Sequence, residues 1–340
     1  MNYSVADTAR HTSRQIVQQT LDFDGPTRLA HSFPPSDFVS AAPVIPNPLR
    51  DWRKINEREW RRVDEWGNEW ARIDDSSKGE VVNGVLGDLD DVSRFPLPTF
   101  SESRCYSIAR EMFHSHPDQW HIGSIHGFTF SVARKIRRLD QYLQDLLLEP
   151  DRIRILHDRV DERIIDQIRG MHQAGADCIM IAEDWGTQTQ TLISPRLWRA
   201  EFKPRFKYLC QVTHSLGLRV FMHSCGNVTA IVPDLIEAGV DVLQFDQPLI
   251  HGIEKLRTWR DQWRVTFWCP VDIQTSLQSH DEQIVRQAAR DLIDNLWRGE
   301  GGFIAGYYSD NKSIGLEPKW QEVASDEFLK HASRSQSRPA

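Results

Sequence analysis

Residues 219–248 read "RVFMHSCGNVTAIVPDLIEAGVDVLQFDQP", and this segment contains a complete strand–helix–strand unit. The apolar run "RVFMH" stops at His-Ser-Cys-Gly, and the apolar helix pattern "VTAIVPDLIEAG" follows. A second apolar run, "DVLQF", then ends at Asp246 and Gln247. Two apolar strands joined by a helix predict a parallel pair whose faces are both covered.

The same alternation of strands and helices extends in both directions from this segment. Six apolar strands are predicted after residue 118, namely "HIGSI", "CIMIA", "RVFMH", "DVLQF", "RVTFW" and "GGFIAGY". A seventh is expected near "TRLAHSF" (27–33), and the tryptophan-rich segment is a candidate for the eighth. This pattern favours an α/β fold, the TIM (β/α)8 barrel. A doubly wound open sheet is the alternative, but no glycine-rich phosphate turn follows the first strand.

The first hundred residues differ in character from the rest of the chain. Prolines crowd residues 34–48, and "EWRRVDEWGNEWARIDDSSKGEVV" (59–82) is rich in tryptophan and charge. We expect one domain over residues 1–340, with an irregular segment (1–100) packed on the main barrel repeats (101–335). Trp66 and Trp70 are expected to pack this segment on the barrel, and lining a substrate pocket is the alternative.

Composition excludes several classes of function. The net charge is −7 and no basic run with interleaved aromatic residues occurs, which argues against nucleic acid as a partner. No apolar run reaches 18 residues, and "MNYSVADTARHTSRQ" has no apolar segment, so neither a membrane span nor a secretory signal is expected. Five cysteines at long spacings indicate reduced thiols in a cytoplasmic protein. A homodimer remains an open alternative.

Polar residues begin where the apolar runs stop. In a TIM barrel the catalytic and binding residues lie at the C-terminal ends of the strands. These side chains are therefore expected to line one opening at that end of the barrel, here called the mouth. They are His126, Glu183, Asp184, Trp185, Gln188, His223, Cys225, Asp246, Gln247, Cys269, Asp272, Tyr307, Tyr308 and Asp310.

The His-x-Cys pair at residues 223 and 225 suggests a metal site. Thiolate and imidazole are ligands that suit zinc, and a catalytic zinc takes three protein ligands and keeps one open position. Cys269, at the end of a later strand, is the expected third ligand. The competing interpretation is a packed cysteine beside a surface histidine.

Several segments resemble the uroporphyrinogen decarboxylase-like superfamily, and more narrowly its methyltransferase branch. They are residues 219–248 together with "DEWGNEWARIDDSSKGEVV" (64–82), "HIGSIHGFTF" (121–130), "AEDWGTQTQTLISPRLWRAEFKPRFK" (182–207) and "CPVDIQTSL" (269–277). The resemblance implies a TIM barrel and an enzyme that moves methyl groups to or from corrinoid proteins or thiols.

The resemblance also implies zinc bound by His223 and Cys225, with a further cysteine in the loop after the last strand. That loop reads "AGYYSDNKSIG" here and has no cysteine. Cys269 is therefore the expected substitute, and Glu183, Asp184 and Asp310 are the alternatives. The N-terminal arginine motif of true uroporphyrinogen decarboxylases is missing, because Arg28 stands alone in "DFDGPTRLAHSF". Decarboxylation of uroporphyrinogen is accordingly not expected.

The sequence thus predicts a zinc-dependent methyltransferase that acts on a small substrate, such as a methoxylated aromatic compound or a thiol. A corrinoid protein is one candidate partner. Asp184 or Glu183 would transfer a proton, while the other strand-end residues would bind substrate: His126, Trp185, Gln188, Asp246, Gln247, Tyr307 and Tyr308. A decarboxylase or other lyase, or a metal-dependent hydrolase, is the alternative, and a non-catalytic metal or corrinoid binder is a third class.

Overall fold

The structure is a computed structural model, which describes residues 11–45 and 49–336, with side chains up to residue 333. Residues 1–10, on which the expectation about a secretory signal partly rests, lie outside this range. Eight parallel strands form the main sheet: β1 (Ala30–His31), β2 (Phe38–Ala41), β7 (Trp120–Ser124), β8 (Cys178–Ala182), β9 (Arg219–His223), β10 (Val242–Gln244), β11 (Thr266–Cys269) and β12 (Phe303–Ala305). Their order is β1-β12-β11-β10-β9-β8-β7-β2, and the sheet nearly closes into a barrel. The TIM-barrel prediction is confirmed.

Helices cover the outside of this barrel. The α-helices are α1 (Ser13–Asp22), α2 (Ser107–Ser115), α3 (Thr129–Ile136), α4 (Leu139–Leu148), α5 (Pro150–Ala174), α6 (Pro195–Leu197), α7 (Lys203–Ser215), α8 (Val232–Ala238), α9 (Ile253–Trp263), α10 (Glu282–Leu292) and α11 (Pro318–Gln336). Single π-helical turns, Trp198–Phe202 and Ile293–Trp297, adjoin α6 and α10. No described helix has both the length and the apolar character needed to cross a membrane.

Side chains alternate between two buried layers along each barrel strand. Phe221, Val242 and Ile304 point into the barrel and pack with residues of α1, whereas Phe267 and Phe303 belong to the layer between strands and helices. This period of two follows from the pleat of a β-strand. The alternation decides which strand-end residues reach the mouth.

The tryptophan-rich segment forms a separate four-stranded antiparallel sheet, here called the cap sheet. Its strands are β3 (Arg53–Asn56), β4 (Glu59–Val63), β5 (Glu69–Arg72) and β6 (Glu80–Asn83), in that order. The cap sheet lies in the connection between β2 and α2. Connections that follow barrel strands lie at the C-terminal face of a TIM barrel, so the cap sheet belongs to the end where the site is expected.

The expected position of the eighth barrel strand was wrong. That strand is β2, which pairs with β7 and follows a cis Pro34–Pro35 bond, whereas the tryptophan-rich segment supplies no barrel strand. The sequence of β2, "FVSA", is short and lies among prolines, so it lacks the longer apolar run that marks the other strands. On β4 and β5, tryptophan and arginine instead share one face of an antiparallel pair, where Arg62 lies opposite Trp70 and Arg72 lies opposite Trp60.

Candidate metal centre and substrate mouth

Three side chains from neighbouring strand ends form a cluster that could hold a metal ion. A carboxylate oxygen of Asp184, a ring nitrogen of His223 and the sulfur of Cys225 all lie within 4.8 Å of one another. The His223 Nε2 is 3.2 Å from the Cys225 Sγ and 3.6 Å from Asp184 Oδ1. One oxygen, one nitrogen and one sulfur are a ligand set that zinc accepts.

The barrel register explains why these three residues meet. His223 is the last residue of β9 and pairs with Ala182 of β8, so Asp184 follows on the adjacent strand end. His223 lies two residues after the inward-facing Phe221 and therefore points into the mouth. Ala182 is exposed, which shows that the mouth above the barrel interior is open to solvent.

Two glycines bring the loops that follow β8 and β9 into backbone contact. Gly226 has φ +73°, and a Cβ there would lie 2.5 Å from the backbone of Gly186. The Asn227 amide donates a 2.6 Å hydrogen bond to the Thr187 carbonyl, which ties the same two loops together. The glycine of the His-x-Cys-Gly motif thus permits the approach that sets Cys225 beside Asp184.

A hydrogen-bonded chain orients His223. Gln244 Nε2 donates to Asp246 Oδ1 at 2.7 Å, and Gln244 Oε1 contacts His223 Nδ1. A carboxylate at neutral pH only accepts, so the amide must present its oxygen to the ring and His223 must carry its proton on Nδ1. This leaves Nε2 as the nitrogen that faces Cys225 and any bound metal. Outer partners of this kind fix the ring orientation of metal-binding histidines.

The surroundings of His223 favour its charged form in the metal-free protein. Burial alone would lower the pKa, but the hydrogen bond to Cys225 and the nearby charges of Asp246 and Asp184 outweigh burial and raise the pKa to about 10. Asp246 itself is buried beneath this chain. A metal bound at Nε2 would therefore displace a proton, as is usual when protein ligands bind metal.

Cys269, the expected third ligand, is not part of the cluster, and Asp184, one of the alternatives, lies there with His223 and Cys225. Trp268, next to Cys269 in the chain, packs with the barrel interior, whereas Cys269 is fully buried in the layer between strands and helices. The alternation along β11 turns its thiol away from the mouth. Burial also raises the pKa of this thiol well above its usual range, which is typical of an inert cysteine.

Glu183 points toward the helical layer, on the opposite side of β8 from Asp184. Its Oε1 accepts hydrogen bonds from the Phe128 and Ser131 amides, at 2.6 and 3.2 Å, at the start of α3. The side chain is fully buried, and burial raises its pKa to about 7 despite these bonds. A carboxylate so placed caps a helix, so the position does not favour the expected role in proton transfer at the mouth.

Glu183→Gln is expected to change how stability depends on pH. Because the folded-state pKa of Glu183, about 7, exceeds the usual value of 4.5, the wild type loses stability as pH rises between these values. The full loss is about 3 kcal/mol, at about 1.4 kcal/mol per pKa unit. Urea unfolding should give similar stabilities near pH 5 and a more stable variant at pH 8. A variant that is less stable than the wild type at pH 8 would contradict this account.

Trp185 does not reach the mouth either. Its indole is fully buried among Phe130, Trp198, Phe202 and Phe206, stacking on Phe130 at 3.9 Å between ring centroids. The expected role in substrate binding is therefore corrected to packing between β8 and the outer helices.

His126 and Tyr308 both contact the connection that carries the cap sheet. His126 lies between Gln167 of α5, at 2.9 Å, and Glu65, at 3.4 Å. Tyr308 Oη is 3.3 Å from the Lys78 Nζ, and Asp310 lies 4.0 Å from the same ammonium. The two expected substrate-binding residues thus contact the cap-sheet connection from two different strand ends, those of β7 and β12.

The remaining predicted residues occupy varied positions. Gln188 is exposed in the turn after β8, Tyr307 is half-buried after β12, and Gln247 is buried after β10. Asp272 is buried and accepts hydrogen bonds from the Gln274 and Thr275 amides, so it stabilises a turn instead of facing the mouth.

Comparison with known proteins assigns the family. The family model described as uroporphyrinogen decarboxylase (URO-D) matches residues 73–307, which is more than half of the chain. The chain belongs to the uroporphyrinogen decarboxylase family. No curated protein sequence matches it.

Two solved structures are compared with this uroporphyrinogen decarboxylase family member. A methyltransferase from Methanosarcina mazei is similar with a TM-score of 0.61 and 17% identity, over 80% of this chain and 77% of that chain. A D-psicose 3-epimerase from Clostridium cellulolyticum H10 gives a TM-score of 0.42 and 8% identity, over 73% of this chain and 91% of that chain. The first similarity shows a common fold.

Arg28, the single arginine of the N-terminal segment "DFDGPTRLAHSF", has a structural role in this chain. Its Nη1 donates a 2.8 Å hydrogen bond to the buried carboxylate of Asp37, in the turn between β1 and β2.

Sequence reasoning missed four residues near the cluster: Lys78, Arg134, Lys135 and Gln244. Only Gln244 carried a signal, since it lies two residues before the strand-end Asp246 and so shares its face of β10.

Proposed function

We propose that the protein is a zinc-dependent methyltransferase that moves a methyl group between a small substrate and a corrinoid protein or other acceptor. The observation that carries this proposal is the Asp184–His223–Cys225 cluster at the open mouth of a uroporphyrinogen decarboxylase family barrel. The shared fold with a methyltransferase is consistent with it.

The residues present fit a zinc ion. Their three donor atoms lie close together, Cys225 is exposed, and His223 presents Nε2 to the cluster. Three protein ligands would leave a fourth position open. Bound zinc supplies Lewis acidity to a heteroatom that occupies this position.

The chain's own residues would arrange the site around that ion. The Cys225 amide donates to Asp184 Oδ1 at 3.1 Å, and Arg134 Nη2 lies 3.7 Å from Asp184 Oδ2. These contacts hold the carboxylate in place from two sides. Asp184 also remains half-exposed, so a ligand in the mouth can reach the cluster.

The single sulfur in the cluster bears on the kind of substrate. Two thiolates would favour thiol activation, whereas an oxygen, nitrogen and sulfur set favours Lewis-acid activation of a methoxy oxygen. The same observation supports a second candidate, a metal-dependent hydrolase or lyase acting in the same mouth. Transfer of the methyl group to an acceptor separates these candidates, because hydrolysis and carbon–carbon cleavage leave no methylated acceptor.

The test is an assay with methoxylated aromatic compounds as donors and cob(I)alamin as acceptor. The wild type and Cys269→Ser should form methylcobalamin, whereas Cys225→Ser should not, because only Cys225 belongs to the cluster. Formation of methylcobalamin by Cys225→Ser at the wild-type rate would refute the zinc mechanism. Release of methanol without methylcobalamin would favour the hydrolase.

Gln244→Leu is expected to weaken zinc binding without removing a ligand. The change deletes the oxygen that contacts His223 Nδ1, so the ring loses its fixed tautomer and orientation. Loss of such outer contacts typically lowers metal affinity about 10- to 100-fold. Competition with a chromogenic chelator measures the affinity. Gln278→Leu, which removes a contact to the Ile314 carbonyl outside the cluster, is the control and should bind zinc normally.

A further inference from the structure

Lys135 of α3 extends between the cap sheet and the metal cluster. Its Nζ lies over the Trp70 ring, 5.7 Å from the ring centroid. Within the described ranges, no carboxylate oxygen lies within 4.0 Å of this ammonium. The residue is half-buried, so the charge has lost part of its hydration without gaining an ion pair. Burial of an unpaired ammonium is unfavourable unless an anion binds to it.

The carboxylates near Lys135 already have other partners. Both oxygens of Asp64 accept two hydrogen bonds each, from the Trp66 and Asn68 amides and from the side chains of Asn68 and Trp70. Glu183 caps α3, and Asp184 belongs to the metal cluster. The attraction of these three carboxylates does not compensate for the hydration that the Lys135 ammonium loses. Burial and the adjacent positive charge of Arg134 together lower the pKa of Lys135.

Further cations surround the same place. Arg134 Nη2 lies 3.7 Å from Asp184 Oδ2, so it links this region to the cluster. The guanidinium of Arg62 lies 4.7 Å from the Trp70 ring centroid, and its Nε is buried without a hydrogen-bond partner. Two cations, Lys135 and Arg62, therefore lie against the ring of Trp70, and Arg134, next to Lys135 in the chain, lies between them and the cluster residue Asp184.

We propose that Lys135, Arg134 and Trp70 form a subsite for the anionic group of the substrate, which makes the substrate a small organic carboxylate. A carboxylate placed here would accept charge-assisted hydrogen bonds from Lys135. It would also be anchored next to Asp184, with the rest of the molecule directed toward the cluster. This inference rests on the proposed function, since it treats the mouth as the substrate site.

Binding of benzoate, with benzyl alcohol as its uncharged counterpart, tests the subsite. Isothermal titration of the full-length protein as purified should show benzoate binding about tenfold or more tightly than benzyl alcohol. Lys135→Met should weaken benzoate binding about tenfold and leave benzyl alcohol unchanged. Lys135→Arg should retain the preference. Lys207→Met, which removes the same charge from the exposed face of α7, should match the wild type.

Three results would overturn the subsite: no benzoate binding by the wild type, equal binding of benzoate and benzyl alcohol, or unchanged benzoate binding in Lys135→Met. Lys135→Arg keeps the test decisive if the methionine variant fails to fold, because an arginine variant that loses the preference for benzoate also contradicts the proposal. Benzoate carries no methyl group, so these outcomes are independent of methyl transfer. Zinc content measured on the same samples separates damage to the cluster from damage to the subsite.

Discussion

Cys225→Ser is expected to abolish zinc binding, whereas Cys269→Ser is expected to leave it intact. The wild type, purified without chelator, should contain about one zinc ion per chain, because the part of the chain that the structure describes holds one cluster with three ligands and an open position. Serine offers no thiolate, so the first variant loses the one sulfur of the cluster. Cys269 is buried in the layer between strands and helices and cannot take its place. Inductively coupled plasma mass spectrometry measures the metal.

The pair of cysteine variants also gives a stability test of the same claim. A ligand that binds only the folded state stabilises it in proportion to the logarithm of its concentration over its dissociation constant. Added zinc should therefore raise the melting temperature of the wild type and Cys269→Ser, but not that of Cys225→Ser. Equal zinc content in the two variants, or loss of zinc only in Cys269→Ser, would contradict the assignment of ligands.

Gly226→Ala is expected to destabilise the protein and to empty the metal site. An alanine at φ +73° costs about 1–2 kcal/mol, and its Cβ would lie 2.5 Å from the Gly186 backbone. Relief of that overlap adds about 1–3 kcal/mol. The loops after β8 and β9 must then separate, which moves Cys225 away from Asp184. Urea unfolding and zinc analysis measure the two effects.

Gly217→Ala is the matched control for this prediction. Gly217 has a similar φ of +77°, but nothing lies within 4 Å of the position its Cβ would take. The free energy of unfolding of this variant should fall only by the backbone term of about 1–2 kcal/mol, and the variant should bind zinc normally. If both alanine variants lose the same stability and both keep zinc, the close approach of the two loops does not position the cluster.

The barrel could be predicted because its strands have a strong local signal. Six of them are apolar runs followed by helical patterns, and each ends at a polar residue. The strand Phe38–Ala41 has no such run, since only two of its four residues are large and apolar. Its identity depends on pairing with β7, a contact between segments about 80 residues apart.

Two of the three residues in the candidate metal cluster were predictable from the sequence. His223 and Cys225 are neighbours in the chain, and their type and spacing indicate zinc. The identity of the third residue depends on the face of the strand from which each strand-end side chain projects. A shift of one residue exchanges the two faces, so Cys269 and Asp184 could be distinguished only once the register was known.

The cap sheet explains why the cationic part of the mouth was missed. Lys135 is on a barrel helix, while Trp70 and Arg62 belong to strands of an insertion. Nothing in the sequence around any of them marks the others as neighbours. Their meeting results from tertiary packing of the insertion over the C-terminal face of the barrel.

Zinc K-edge X-ray absorption of the purified protein tests the central claim most directly, because it counts the sulfur atoms bound to the metal. The Asp184–His223–Cys225 assignment predicts one sulfur at about 2.3 Å, with the remaining ligands being nitrogen and oxygen at about 2.0–2.2 Å. The spectrum of Cys269→Ser should be identical. Two sulfur ligands in the wild type, or none, would contradict the assignment.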